Sequence, residues 1–346
     1  YLIARFYIDS FQSRILILVP TISLVHQLRS DFADYGFDVD RFIHCVFGGQ
    51  DKLSNKPVII STWQSVHELP KSYFEHFDVI IGDEAHLFKA QSLTKILTQC
   101  VNARYRVGLT GTLDGTKTHK LVLEGLFGPV YQSTTTAKLI ENKQLADFRI
   151  KCLVLKHPEN ICKQSRDWDY QSEIDYIVSS KARNEFIRNL AISLEGNSLI
   201  LFNLVEKHGK QLYKLIEEKA GDRHVFFVHG GTDVEVREEV RAITEKENNA
   251  IIVASYGTFS TGINIRNLHN VIFASPSKSR VRNLQSIGRG LRIGDNKTEA
   301  VLYDIADDFR VGKHVNFTLK HFGERCKIYD EEKFKYKFYN IEVKNA

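Results

Sequence analysis

Short apolar, β-branched runs alternate with longer amphipathic stretches through the first third of the chain. Ile15–Val19, Val58–Ser61, Val79–Ile81 and Tyr105–Leu109 are nearly continuous in apolar residues, the pattern of strands buried on both faces. Helix-length segments separate them. Parallel neighbours need a crossover connection, and helical crossovers cover both faces of a sheet, so this rhythm predicts an α/β fold with a doubly wound parallel sheet. From Phe127 to Lys181 the rhythm gives way to turn-prone and polar residues, with one strand expected over Arg149–Leu155. The domain boundary is expected here. A second alternating block follows, with strands over Ser198–Phe202, His224–Val228, Ala250–Ala254, Asn270–Ala274 and Thr298–Tyr303, and helices over Gly209–Lys219 and Val234–Glu245. The expected layout is a first domain at 1–134, a linker at 135–185, a second domain at 186–313 and a basic, aromatic extension at 314–346. In that extension Lys327–Lys344 reads as a helix lying back on the second domain.

Composition narrows the class without choosing a function. The 346 residues suit about two domains. Hydrophobic residues at 43% and charged residues at 26% exclude disorder over most of the length. Apolar runs are strand-sized, and none is long enough to span a bilayer as a helix. The five cysteines are odd in number, scattered and never in a C-x-x-C pair, which fits a reducing, cytoplasmic compartment and encodes no zinc knuckle. A formal charge of +5 permits a polyanionic partner without requiring one. The chain opens at Tyr1 within a helix-like run and reads as a piece of something longer; it contains no methionine.

Chemistry concentrates in two places. Asp83-Glu84-Ala85-His86 follows directly on Val79-Ile80-Ile81-Gly82, so the two carboxylates should project from the C-terminal end of a parallel strand, the edge where open α/β sheets bind ligands. Adjacent acids there can divide the work of nucleotide hydrolysis. Asp83 holds Mg²⁺ through water, and Glu84 orients and deprotonates the attacking water. The plainer reading is a solvated acidic loop. The second place is Gln285-Ser286-Ile287-Gly288-Arg289-Gly290-Leu291-Arg292, where helical spacing puts Gln285, Arg289 and Arg292 on one face. Two guanidiniums so placed can stabilise charge developing on a γ-phosphate, whereas the plainer reading is a solvated basic helix.

Their order and spacing resemble those of the superfamily 2 DExH-type helicases, and the resemblance covers nearly the whole chain. Val19-Pro20-Thr21 with Leu24 and Gln27 resembles motif Ia, and Ser61-Thr62-Trp63-Gln64-Ser65 resembles motif Ib. Leu109-Thr110-Gly111-Thr112 resembles motif III, Ile200–Asn203 motif IV, and Gly257–Asn264 motif V. Within the superfamily the chain is similar to the UvsW family of phage recombination helicases, through Thr62–Ser65, Ala254–Gly262, Leu268–Val271 and Gln285–Arg289.

The resemblance implies two RecA-like domains with ATP and Mg²⁺ between them. It implies that Pro20, Thr21, Gln27, Thr62, Gln64 and Thr258 meet nucleic acid. It further implies that His86, Thr110, Thr112 and Gly262 couple nucleotide state to strand binding. Partners would be branched, forked or single-stranded DNA and RNA in R-loops, in the cytoplasm of a bacterial or phage-infected cell, with roles in recombination and repair. Two alternatives stand beside this: a motor that translocates on duplex DNA without separating it, and a nucleotide-independent DNA-binding or annealing module.

The sequence departs from the family pattern in two respects. Position 264 is Asn where many members carry Asp. No G-x-x-x-x-G-K-[ST] occurs anywhere, since Gly209-Lys210 and Gly312-Lys313 are followed by Gln and His. The lysine that neutralises β- and γ-phosphates and the hydroxyl that binds Mg²⁺ are thus missing from the first domain, which is expected to be truncated at its N-terminus. A polypeptide of these 346 residues is accordingly expected to hydrolyse ATP poorly or not at all. Phosphate release in the presence of DNA measures this, and turnover at an ordinary helicase rate would refute it.

Overall fold

The computed structural model describes residues 1–88, 91–111, 113, 117–258, 265, 267–279, 283–284, 286–288 and 299–343. The chain divides into two compact units, Tyr1–Tyr131 and Gln132–Ala346. In the first, β1 (Ile15–Val19), β2 (Ile43–Val46), β3 (Val58–Thr62), β4 (Val79–Gly82) and β5 (Tyr105–Gly108) form an all-parallel sheet in the order β2-β3-β1-β4-β5. Side chains alternate across its strands. Leu16, Leu18, Ile59 and Ile80 therefore pack on one face with Leu93, Ile96 and Leu97 of the helix Gln91–Gln99. Ile15, Ile17, Ile60 and Ile81 pack on the other with Val25 and Phe32 of the helix Ile22–Asp34. Burial on both faces explains why β1, β3 and β4 read as unbroken apolar runs.

The second unit carries β6 (Asp147–Lys156), β7 (Ser198–Phe202), β8 (Val225–Val228), β9 (Ile251–Ser255), β10 (Asn270–Phe273), β11 (Glu299–Asp308) and β12 (Lys335–Glu342). These too are parallel throughout, in the order β12-β6-β11-β10-β7-β9-β8. Asn197, buried just ahead of β7, fastens the strand entries together. Its Nδ2 lies within hydrogen-bond reach of the carbonyls of Thr244, Glu247 and Asn267, and its Oδ1 accepts from the Ala250 N–H. Both units are thus doubly wound parallel α/β sheets, as the apolar rhythm predicts.

Three features differ from the sequence reading. The pattern does not predict β2, because His44 interrupts its apolar run and its two middle residues are only partly buried. The polar stretch at 135–185 supplies β6, an inner strand of the second sheet, together with the helices Glu159–Gln164 and Tyr170–Ser179. Lys327–Lys344 is not one helix: the helix Phe317–Glu331 ends, Lys333 turns the chain at φ 58°, and β12 follows. The physical reason is the period of two in Lys335-Tyr336-Lys337-Phe338. As a strand, it puts Phe338 against Phe322 and Tyr336 against Tyr329 of that helix, with both lysines on the opposite face.

Candidate nucleotide and nucleic-acid site

The acid pair sits where the first sheet's strand order changes sides. β1 leads away toward β2 and β3, while β4 leads toward β5, so the C-terminal ends of β1 and β4 mark the switch point at which open α/β sheets form their ligand crevice. Asp83 stands at that point, held by its own N–H, which donates to the Leu18 carbonyl at 3.0 Å. The next turn is pinned to β5: the Ala85 N–H donates to Leu109 O and the Leu109 N–H to Gly82 O, each at 2.8 Å. Glu84 between them adopts φ 50°, ψ 50°, a left-handed conformation that costs a non-glycine residue energy and recurs at functional sites. The loop is also packed tightly from behind. A Cβ at Gly82 would come within 2.7 Å of the Phe88 ring, and one at Gly108 within 3.0 Å of both Ala85 and Phe127.

Two side chains read from different motifs meet here. His86 is buried, and its Nδ1 lies 3.1 Å from Thr110 Oγ1 and 3.2 Å from Glu84 Oε2. Burial raises the Asp83 carboxyl above the usual carboxylate range, and the neighbouring Glu84 charge adds to the effect. A cation arriving beside Asp83 would reverse that penalty.

Pro20, Thr21 and Gln64 also come together. Val19 is paired with Thr62 across β1 and β3, and Gln64 Nε2 donates to the Pro20 carbonyl at 3.3 Å. Thr21 caps the helix Ile22–Asp34, accepting from the Leu24 N–H, and Gln27 is exposed on that helix. Thr62 and Thr258 differ from the expectation that they face nucleic acid. Both are buried, with hydroxyls 2.8 Å from Ser65 Oγ and Ser255 Oγ respectively: Thr62 ends β3 and opens the turn to Ser65, and Thr258 closes the turn after β9.

In the second unit, the described part of the arginine motif, Ser286–Gly288, is helical, and Ile287 is buried in the core. Gln285, Arg289, Arg292, Gly262 and Thr112 lie outside the described residues. A residue that motif reading missed is Ser275. Its Oγ accepts from the Asn203 N–H at 3.2 Å and lies 2.9 Å from His208 Nδ1, while its carbonyl accepts from Tyr256 Oη at 3.2 Å. It joins the segment resembling motif IV to Tyr256, the residue just ahead of the segment resembling motif V. The Ser-Pro step after an apolar run was its only sequence signal.

His208 itself lies in a five-residue π-helical turn, Val205–Gly209, a geometry frequent at functional sites. Burial, with the nearby Arg183 charge, lowers its pKa to about 3, although Asp307 opposes the shift. The neutral ring fits Nε2–H donating to Asn184 Oδ1 and Nδ1 accepting from Ser275. An unfolded chain takes up this proton below about pH 6.5 while the folded one does not. Its contribution to stability is therefore complete above that pH and shrinks as pH falls toward about 3. Urea titrations across this window should show stability falling by up to ~1.4 kcal/mol per pH unit from this one group, a component that His208→Gln removes.

Comparison with known proteins shows the family. The family described as "Type III restriction enzyme, res subunit" matches residues 1–115, and the "Helicase conserved C-terminal domain" matches residues 181–294. The ATP-dependent DNA helicase uvsW of Enterobacteria phage T4 is 36% identical over 97% of this chain and 70% of its own length. The chain belongs to the superfamily 2 helicases. The crystal structure of T4 UvsW matches this helicase chain with a TM-score of 0.52 at 33% identity, covering 99% of it and 70% of the T4 chain. The Type ISP restriction-modification enzyme LlaBIII, solved bound to DNA, matches with a TM-score of 0.66 at 17% identity over 96% of the helicase and 28% of LlaBIII. That second likeness shows the shared fold. Family membership makes nucleotide-dependent action on nucleic acid the activity class. Among the described residues, no helix is long and apolar enough to cross a membrane.

Proposed function

We propose that this chain is the motor of an ATP- and Mg²⁺-dependent DNA helicase that remodels branched DNA, including forks, junctions and R-loops, in recombination and repair. The observation that carries it is the loop Asp83–His86, fixed between β1 and β5 at the switch point, with His86 reaching Thr110. The donor set fits Mg²⁺, which binds through one or two carboxylates and water and needs no cage of protein ligands. Bound there, the ion would supply positive charge to the phosphates of a nucleotide. Asp83 would hold it through water, and Glu84 would take the proton of the attacking water.

His86 and Thr110, with Thr112 and Gly262, report nucleotide state to the strand-binding elements. Gln285, Arg289 and Arg292 would stabilise charge that develops on a γ-phosphate during hydrolysis. Pro20, Thr21, Gln27 and Gln64 meet the nucleic-acid backbone, while Thr62 holds the turn beside them and Thr258 holds a turn of the second unit. The T4 relative is an ATP-dependent DNA helicase by name, which supports this reading over a nucleotide-independent annealing module. The LlaBIII likeness is one of fold and does not favour a duplex translocase. Strand displacement on forked DNA beside triplex displacement, with the 346 residues preceded by a G-x-x-x-x-G-K-[ST] segment, tests the proposal. ATP-driven separation of the fork supports it; triplex displacement alone would assign duplex translocation instead.

A further inference from the structure

We propose that the face of β12 and β6 bearing Lys335, Lys337, Arg149 and Lys151 binds a single nucleic-acid strand through its phosphates, apart from the loops at the strand ends. The inference rests on the nucleic-acid reading above and adds a second contact surface within the second unit. Parallel register sets Lys335 opposite Arg149 and Lys337 opposite Lys151. Like charges directly opposed on one face of a sheet destabilise it, and here two such pairs stand side by side. An anion shared between the rows would relieve both.

The carboxylates near these cations are Glu299, which meets Arg149 at 3.0 Å, and Asp147, one register step toward the strand starts. Arg149 is still 66% exposed, and both lysines of β12 are exposed. Lys151 Nζ lies 5.2 Å from the centre of the Tyr303 ring. β12 is an edge strand, and one row of lysines is enough to keep an edge from pairing with other chains. Arg149 and Lys151 stand on an inner strand, where that need does not arise.

Spacing and chemistry favour an extended single strand. Alternate residues of a β-strand are ~6.6 Å apart, which lets successive phosphates of an extended chain meet successive cations. Tyr339, next along the same row and 41% exposed, offers a ring for a base to stack on. Lysine and arginine contacts to phosphate release counterions, so each contact leaves a signature in the salt dependence of binding.

The test is fluorescence anisotropy of a labelled single-stranded oligonucleotide of mixed sequence with the full 346-residue chain, titrated over a range of salt. Lys335→Gln with Lys337→Gln is expected to weaken binding about tenfold and to reduce the slope of log affinity against log salt by about 1.4. Arg149→Gln with Lys151→Gln should act in the same direction. Lys214→Gln with Lys219→Gln, which removes equal charge elsewhere in the unit, should leave the slope unchanged.

Equal effects from all three pairs would reduce the finding to net charge and overturn the proposal, as would an unchanged slope in the β12 pair. A loss confined to a duplex of the same sequence would overturn the single-strand assignment. If the unsubstituted chain binds neither nucleic acid at low salt, the nucleic-acid reading itself fails; binding that ignores β12 leaves that reading intact and removes only this surface.

Discussion

Glu84→Gln is expected to lower the rate of ATP hydrolysis about 10²- to 10⁴-fold, with little change in KM for ATP, when the 346 residues are preceded by a G-x-x-x-x-G-K-[ST] segment. The amide keeps the size and hydrogen-bonding reach of the carboxylate and removes its ability to accept a proton. Ground-state binding should survive because Asp83 remains in place, held by the Leu18 carbonyl. Single-turnover hydrolysis with a parallel nucleotide-binding titration separates the two effects. A matched fall in binding would move Glu84 from proton transfer to nucleotide positioning.

The largest stability effect is expected at Asp307. This carboxylate is fully buried at the C-terminal end of β11. It accepts from Arg183 Nε at 2.9 and 3.0 Å, and its Oδ1 lies 3.0 Å from His157 Nε2. Arg183 is equally buried and also donates from Nη2 to the Ala274 carbonyl. Burial alone would raise the Asp307 pKa; the Arg183 charge and the His157 hydrogen bond outweigh it and bring the group to about 2.

Asp307→Ala leaves a guanidinium buried without its counter-charge, which costs ~3–5 kcal/mol. Urea denaturation should show this as a lower midpoint for the second unit, and a loss under ~1 kcal/mol would mean that water or a neighbouring group replaces the carboxylate. The sign of the pH effect follows from the depressed value. Stability from Asp307 is complete above the unfolded carboxyl pKa near 3.9 and is lost as pH falls through about 2. His208, a neighbour in this cluster, begins to erode stability at much higher pH, so acid unfolding should start with the histidine.

How far the sequence discloses the protein varies by element. β1 and β7 are readable to the residue because strands buried on both faces leave an unbroken apolar signature that only their ends interrupt. β12 is harder, since this edge strand has no buried residue and mixes lysine with aromatics, a composition shared by surface helices. β6 lies among turn-prone residues whose character masks its place in the sheet. In the candidate site, Asp83, Glu84 and His86 stand out in the sequence because they follow one another directly after an apolar strand. Ser275 is not, because its role depends on contacts with Asn203, His208 and Tyr256, which the chain brings together only on folding. The burial of Thr62 and Thr258 was hidden for a similar reason: motif position does not say which way a hydroxyl turns.

The central claim of the proposed function is that ATP hydrolysis requires both Glu84 and Arg289. A double-mutant cycle on the DNA-stimulated ATPase, in the polypeptide carrying the G-x-x-x-x-G-K-[ST] segment, tests it most directly. Glu84→Gln and Arg289→Ala should each lower turnover by roughly 10²-fold or more, and the double variant should fall little below the worse single one, as groups acting as a unit do. Full turnover in Arg289→Ala, or losses that simply multiply in the double variant, would contradict the account.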